Sequence, residues 1–273
     1  MFSFLSDFLQ KKHIDCFAAL PLEECRVVRP YLLEKAGIED GSVILLAVPY
    51  YTPHCEDPRR NLSAYAIAKD YHLFFKGLFE EILPLLKARF PANRFAAFAD
   101  HSPIDEVMAA AKAGLGVIGK NHLLITERYS SFVFLGEIVT DASLPSQIHE
   151  IRACMDCGAC RSACPMTRKG CQCLSSVTQK KGELSPEEED LLRNHPLVWG
   201  CDICQEVCPH TSAAKSFGTI YSPIPFFYED ILSHLTPVSL MALSDQAFSE
   251  RAYAWRQRGT VERNLLLKQQ KEK

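Results

Sequence analysis

The stretch CMDCGACRSACP, from Cys154 to Pro165, limits what this chain can fold into more than any other part of it. It matches the run CxxCxxCxxxCP at every position. In that run three closely spaced thiolates wrap one corner of an iron–sulfur cubane, and the fourth, fixed by the turn at the following proline, reaches a second cluster. A shorter copy, CDICQEVCP from Cys201 to Pro209, supplies two closely spaced ligands and a crossing one. One ligand must come from elsewhere, and Cys171 and Cys173 are the candidates. Crossing groups Cys154, Cys157, Cys160 and Cys208 around one cluster, and Cys164, Cys201, Cys204 and one of that pair around the other.

Paired CxxC motifs also build closed zinc sites of four cysteines. A zinc ribbon, however, needs neither a third cysteine three residues on nor a CP ending on both motifs. Thiol exchange needs far fewer thiols than the nine cysteines, of twelve, that crowd between Cys154 and Cys208. Cys16, Cys25 and Cys55 fall outside and are expected as ordinary buried thiols.

The N-terminus MFSFLSDFLQKKHIDC has no charged start followed by an apolar run and a small-residue cleavage site. A cytoplasmic location with reduced thiols is therefore expected. No apolar stretch is long enough to span a bilayer, so no membrane partner is expected. A net charge of −3 gives no overall positive field that would draw the protein onto nucleic acid. The one basic concentration is C-terminal, at Arg251, Arg256, Arg258, Arg263, Lys268, Lys271 and Lys273, and reads as a solvated helical tail.

At 273 residues and 47% hydrophobic the chain can bury a core of one large or two smaller domains. Ser42 to Tyr50, SVILLAVPY, is a continuous β-branched run and reads as a buried strand. Residues 61 to 90 read as helical, with Tyr71, Phe74, Leu78, Ile82 and Leu85 on the buried face and a kink at Pro84. Arg94 to Ala99 is a strand leading into Asp100, after which Ser102 is expected to cap a helix starting at Pro103 and ending at Gly114. Residues 122–126 and 132–140 read as two strands joined by a turn at 128–131. The expected class is α+β: a mixed α/β part over 1–145, a ferredoxin-like double-cluster part over 146–225, and a helical tail over 226–273.

Gly114-Leu-Gly-Val-Ile-Gly119 fits the dinucleotide fingerprint GxGxxG letter for letter. That fingerprint needs a strand before it and a helix after it. Here the order is reversed, so the glycines are expected to form a tight helix exit whose bare backbone approaches a ligand.

Together these residues resemble the epoxyqueuosine reductases, cobalamin-dependent iron–sulfur enzymes that complete queuosine in tRNA. The resemblance rests on Tyr65-Ala-Ile-Ala-Lys-Asp70-Tyr71-His72, Asp100-His-Ser-Pro103 with Glu106, Ala113-Gly-Leu-Gly-Val-Ile-Gly-Lys120-Asn121, Phe134-Leu-Gly-Glu-Ile-Val-Thr-Asp141 and both cysteine motifs. These motifs run in the family's order over residues 40 to 210.

The resemblance implies two [4Fe-4S] clusters, with Cys173 rather than Cys171 as the lone ligand, and a cobalamin bound by the N-terminal part without a protein ligand from His101 or His122. It implies Asp100 as proton donor, and contacts to cobalamin or substrate from Asp70, His72, Lys120 and Asn121. tRNA is the implied substrate, and an external donor such as ferredoxin or flavodoxin the implied electron source. A carboxyl acid working near neutral pH must stay protonated, which burial near Phe98 or a cofactor would achieve. The region of Arg258-Gly-Thr and Arg263-Asn264 resembles the point where longer members continue into helical repeats. The competing readings are a corrinoid reductase of a small molecule and a two-cluster electron carrier; a carrier leaves the first 140 residues without a purpose.

Overall fold

The computed structural model describes residues 1–166 and 173–269. The chain divides into two compact units, one of Met1–Tyr50, His72–Cys157 and Ala213–Ile224, the other of Tyr51–Tyr71, Gly158–Ser212 and Pro225–Lys273.

The first unit is ordered α1 (Phe2–Lys11), β1 (Phe17–Pro21), α2 (Pro30–Ala36), β2 (Ser42–Pro49), α3 (Tyr71–Arg89), β3 (Phe95–Phe98), α4 (Glu106–Lys112), β4 (Val117–Ile118), β5 (Leu124–Ile125) and β6 (Val133–Thr140). Four strands form one antiparallel sheet in the order β1-β2-β6-β3, while β4 and β5 pair separately. β2 is buried at all eight positions, as its unbroken apolar run requires of a strand covered on both faces. Val43 and Leu45 of β2, Ala96 and Phe98 of β3 and Val139 of β6 pack with Ala109 and Ala113, at and just beyond α4, and Leu33 of α2. On the other face Phe75 of α3 comes so close to Gly136 that a Cβ there would lie 2.4 Å from its ring.

Several expectations shift by a turn or a few residues. The long helix starts at Tyr71, not at residue 61, and runs through Pro84 to Arg89; its buried positions are Phe75, Leu78, Ile82 and Leu86, with Leu85 outward. Ser102 does not begin a helix at Pro103. Its Oγ accepts from Ile104 N, and α4 starts only at Glu106, capped by Asp105, whose carboxylate accepts from Met108 N. The strand at 122–126 shrinks to β5 and pairs with β4 rather than β6. The glycine run is indeed a helix exit, with Gly114 at φ +85° after α4. What approaches its bare backbone is β5: a Cβ on Gly116 would lie 2.4 Å from the carbonyl oxygen of Ile125.

The second unit carries α5 (Ala159–Ala163), α6 (Leu174–Thr178), α7 (Pro186–Asn194), α8 (Ile203–Glu206), α9 (Pro209–Ser216), in which the division falls, α10 (Pro237–Ala242), α11 (Asp245–Ser249) and α12 (Arg258–Gln269). Residues 61–70 escape the helix because tertiary partners take their backbone. Ser63 N donates to Trp199 O, Asp70 N donates to Glu250 O, and Lys69 bridges Arg251. At the centre lie Trp199 and Tyr253, both fully buried, with ring centroids 6.1 Å apart in an edge-on arrangement. The tail is not simply solvated. Arg251 donates to Asp230 O, Arg258 to Leu240 O and Leu243 O, and Arg263 to Lys180 O and Gly182 O, so three of its cations close the ends of other segments. Lys271 and Lys273 lie outside the described residues. Among the described residues no helix is long and apolar enough to cross a membrane.

Candidate functional site

β3 hands the chain to Asp100, which sits at φ +66°, a left-handed conformation that Asp tolerates better than most residues. Its Oδ2 faces His72 Nε2, in the first turn of α3, at 3.2 Å; the two side chains are 63% and 50% exposed. The loop beyond is tied down by the segment that enters α2. Arg29 Nη1 donates to Ser102 O at 2.8 Å, Val28 N and Arg29 N both donate to Pro103 O, and Tyr31 Oη meets His101 Nε2 at 2.6 Å. Asp100 is thus a presented carboxyl on a braced loop. This exposure departs from the burial near Phe98 expected of it.

The buried carboxyls lie next to it. Glu137 occupies an inward position of β6, in register with Leu45 on one side and Phe98 on the other, and is fully buried. Neither of its oxygens has a hydrogen-bond donor in good geometry, and one oxygen of Glu106 is likewise buried without one. Burial pushes the Glu106 carboxyl up to about 7, with the Asp100 charge adding to the shift. Burial first and the Glu106 charge second push Glu137 well above the usual carboxylate range. Two neighbouring carboxyls without a cation between them cannot both ionise in such a place. Glu106 was visible as part of a motif. Glu137 lies within the Phe134–Asp141 motif without being singled out there; its signal is an acid at an inward position in the alternation Leu135, Glu137, Val139.

The other expected contacts scatter. Lys120 pairs with Asp156 at 3.1 Å, and Asn121 Oδ1 accepts from Leu123 N within the turn between β4 and β5. Asp70 belongs to the second unit, where its backbone is held by Glu250. Of these residues the structure brings His72 to Asp100.

The cysteines lie on short, tightly turned segments. Cys154 N donates to Ile118 O, which lays the start of the first motif along β4. Gly158, at φ +75°, turns the chain into α5, which carries Cys160; Cys164 ends that helix just before Pro165. α8 carries Cys204 and packs against α5 within the second unit, so the two cysteine helices lie side by side. Cys164 and Cys201 both pack on the cluster of Met166, Leu174 and Val177, and Cys173 caps α6, to which Leu174 and Val177 belong. Burial pushes the Cys201 thiol up to about 12, and Cys173 and Cys204 are near enough to add to that shift. Cys164, Cys173, Cys201 and Cys204 therefore converge in one unit, which suits a cubane. Cys171 lies outside the described residues. Of the other set, Cys154 and Cys157 belong to the first unit and Cys160 and Cys208 to the second, and their grouping rests on the motif. Among the described residues no three potential ligands stand close enough for a single metal ion. A cubane spreads its four thiolates over four irons and so asks for wider spacing. Cys16, Cys25 and Cys55 are buried or partly buried, and burial raises them to about 12, 12 and 11, which makes them inert thiols.

The chain is similar to known proteins over most of its length. Residues 34–101 match the family described as "Epoxyqueuosine reductase QueG, DUF1730". The chain is 34% identical over 218 residues to the epoxyqueuosine reductase of Gloeobacter violaceus, covering 76% of this chain and 68% of that one. It is 32% identical over 284 residues to that of Listeria monocytogenes, covering 97% and 73%. The fold superposes on the epoxyqueuosine reductase of Streptococcus thermophilus with a TM-score of 0.77 at 22% identity, over 98% of this chain and 80% of that one. An epoxyqueuosine reductase solved with an epoxyqueuosine-modified tRNA-Tyr stem loop gives a TM-score of 0.76 at 20% identity, over 98% and 81%. With identity above 30% across more than two thirds of full-length relatives, and the same fold beneath it, the chain belongs to the epoxyqueuosine reductase family.

Proposed function

We propose that the protein reduces epoxyqueuosine to queuosine in tRNA, using two [4Fe-4S] clusters and a cobalamin. The observation that carries this reading is the Asp100 loop. A left-handed aspartate, braced by Arg29 and Tyr31 and open to a large ligand, stands at the end of the sheet in a chain that shares the family's sequence over most of its length.

Converting an epoxide to an alkene consumes two electrons and two protons and releases water. Cys154, Cys157, Cys160 and Cys208 would hold one cluster and Cys164, Cys173, Cys201 and Cys204 the other, and these would supply electrons taken from an external donor of the ferredoxin or flavodoxin type. A bound cobalamin would supply the reductive chemistry. The protein's own residues do the rest. Asp100 protonates the departing oxygen, a step typically worth roughly 10²–10⁴-fold in rate. His72 holds the Asp100 carboxyl at 3.2 Å, which fixes where its proton points. His72, Asp70, Lys120 and Asn121 offer polar contacts for the corrin periphery or the substrate. The tRNA reading draws on the relative solved with a modified stem loop.

The test is anaerobic purification with iron and sulfide counts, cobalamin titration followed by visible absorption, and conversion of an epoxyqueuosine-containing anticodon stem loop. About eight irons per chain, a perturbed corrinoid spectrum and queuosine formation are expected. Asp100→Asn is expected to abolish turnover with both clusters retained. Zinc in place of iron, or unimpaired turnover by Asp100→Asn, would overturn the reading.

A further inference from the structure

Tyr31 stands beside the Asp100 loop, half out in solvent. It lies in the first turn of α2, is 51% exposed, and its hydroxyl meets Nε2 of His101, the residue next to Asp100, at 2.6 Å. The two rings are tilted by 52° with centroids 6.2 Å apart, so neither covers the other's face. An aromatic ring tied down in this way offers an open flat surface with its rotamer already fixed, which lowers the entropy cost of laying a ligand on it.

The chain around the ring is rigid too. Val27 bridges Ile104, Asp105 N donates to Arg26 O, Val28 N and Arg29 N donate to Pro103 O, and Arg29 Nη1 donates to Ser102 O. Residues 26–31 and 100–105 therefore form one clasp, and what it exposes is apolar and basic. Val27 and Val28 are exposed along with Tyr31, and Arg26 is 70% exposed, with Asp105 at 3.7 Å, beyond hydrogen-bond reach. A single exposed apolar residue is ordinary. Three large ones within five residues, rimmed by an arginine and continuous with the Asp100 loop, form a surface that takes a partner.

An open aromatic face and an available guanidinium are the parts with which proteins hold an unpaired base: the base stacks on the ring and the adjoining phosphate meets the cation. Because His101 follows Asp100 directly, whatever lies on Tyr31 is a neighbour of the group that Asp100 protonates. In a stem loop that neighbour is the adjoining nucleotide.

We infer that Tyr31, held by His101, is a stacking subsite for the unpaired base that adjoins the epoxyqueuosine nucleoside, with Arg26 set against the phosphate beside it. The inference rests on the function proposed above and adds the part of the chain that takes the flanking nucleotide. Tyr31 makes and breaks no bond; it fixes the strand that carries the reacting nucleoside, and thereby the approach of that nucleoside to Asp100.

Binding without turnover tests this. The full chain with its clusters is titrated against a labelled, epoxyqueuosine-containing stem loop and followed by fluorescence anisotropy. Tyr31→Leu should weaken binding on the order of 10-fold, the worth of one base stacked on an aromatic ring, and Tyr31→Trp should keep it. Tyr31→Phe, which retains the ring but frees it from His101, should fall between. Arg26→Gln should lower the salt dependence of binding by about one counterion. Stem loops with one abasic site, before or after epoxyqueuosine, identify the base: wild type should lose the same factor with one of them, and Tyr31→Leu should cost nothing further there. Wild-type affinity in Tyr31→Leu, or a loss that adds in full to both abasic losses, would overturn the subsite. So would a changed cobalamin titration in Tyr31→Leu with unchanged stem-loop affinity, which would give the ring to the corrin instead. Should Tyr31→Leu misfold, as circular dichroism and iron content would reveal, Tyr31→Phe against the abasic stem loops decides in its place. A wild type without affinity for the stem loop would sink the proposed function and this inference together, whereas affinity indifferent to Tyr31 sinks this inference alone.

Discussion

His72 Nε2 and Asp100 Oδ2, brought together from α3 and from the loop after β3, face each other at 3.2 Å with both side chains at least half exposed. A pair this open is screened by water and contributes little to stability. Its geometry matters more than its energy, because the imidazole decides where the carboxyl points. His72→Ala should leave the unfolding free energy within about 0.5 kcal/mol of wild type while lowering kcat. Urea unfolding beside single-turnover kinetics checks this; a large loss of stability with unchanged kcat would contradict it.

The buried pair carries a pH signature in stability. Burial lifts the Glu106 carboxyl to about 7 in the folded chain, above its ordinary value near 4.5, so the unfolded chain releases its proton first as pH rises. Between about 4.5 and 7 the native state binds more protons than the unfolded state, and stability falls with rising pH, by at most about 1.4 kcal/mol per pH unit for one proton. The upward shift of Glu137 carries the decline further toward alkaline pH. Glu137→Gln keeps the shape and removes the charge. It should therefore gain on wild type progressively from pH 5 to pH 8, measured as the urea midpoint at each pH.

Asp202 sits in a fully satisfied buried cradle beside Cys201. Its carboxylate accepts from Arg60 Nη1 at 2.6 Å, from Ala64 N at 2.8 Å and from Ser63 Oγ. Removing Asp202 would leave the buried Arg60 cation with Glu206 alone, at 3.5 Å, and breaking such a buried pair typically costs roughly 3–5 kcal/mol. Asp202→Ala should lose stability on that scale in guanidinium unfolding and lose iron as well, because Cys201 and Cys204 flank the cradle. Unchanged iron content in a destabilised variant would separate the cradle from the cluster.

Asn264, fully buried on α12, donates both amide hydrogens, to Thr178 O at 2.7 Å and to Val198 O at 2.8 Å. Alanine would leave two buried carbonyls unpaired, at about 1–3 kcal/mol for each group. Thermal unfolding of Asn264→Ala should show a drop of several degrees. An unchanged melting temperature would mean that water reaches these carbonyls.

Much of what depends on neighbours in the chain is legible, although the cap of α4 falls at Asp105 rather than Ser102. The cysteine spacing with its CP endings, the unbroken apolar run of β2 and the reversed order around Gly114–Gly119 are local patterns, and local sterics and turn chemistry fix them. Period alone leaves the phase of α3's buried face open; Gly136, by letting Phe75 come in close, sets it. Residues 61–70 have helical composition, but Trp199, Glu250 and Arg251, far along the chain, claim their backbone. The arginines of the tail read as solvated charge in sequence, whereas in the fold the carbonyls of distant segments lie opposite them.

The sequence by itself determined the cysteine ligands on offer, the central strand and the aspartate at its rim, since each is written in consecutive residues. Only the tertiary structure decided that Asp100 is exposed and that Glu106 and Glu137 are not. The proton affinity of a carboxyl is set by the solvent and charge around it, and those surroundings are assembled from α2, α3, α4 and the sheet, which meet only when the chain has folded.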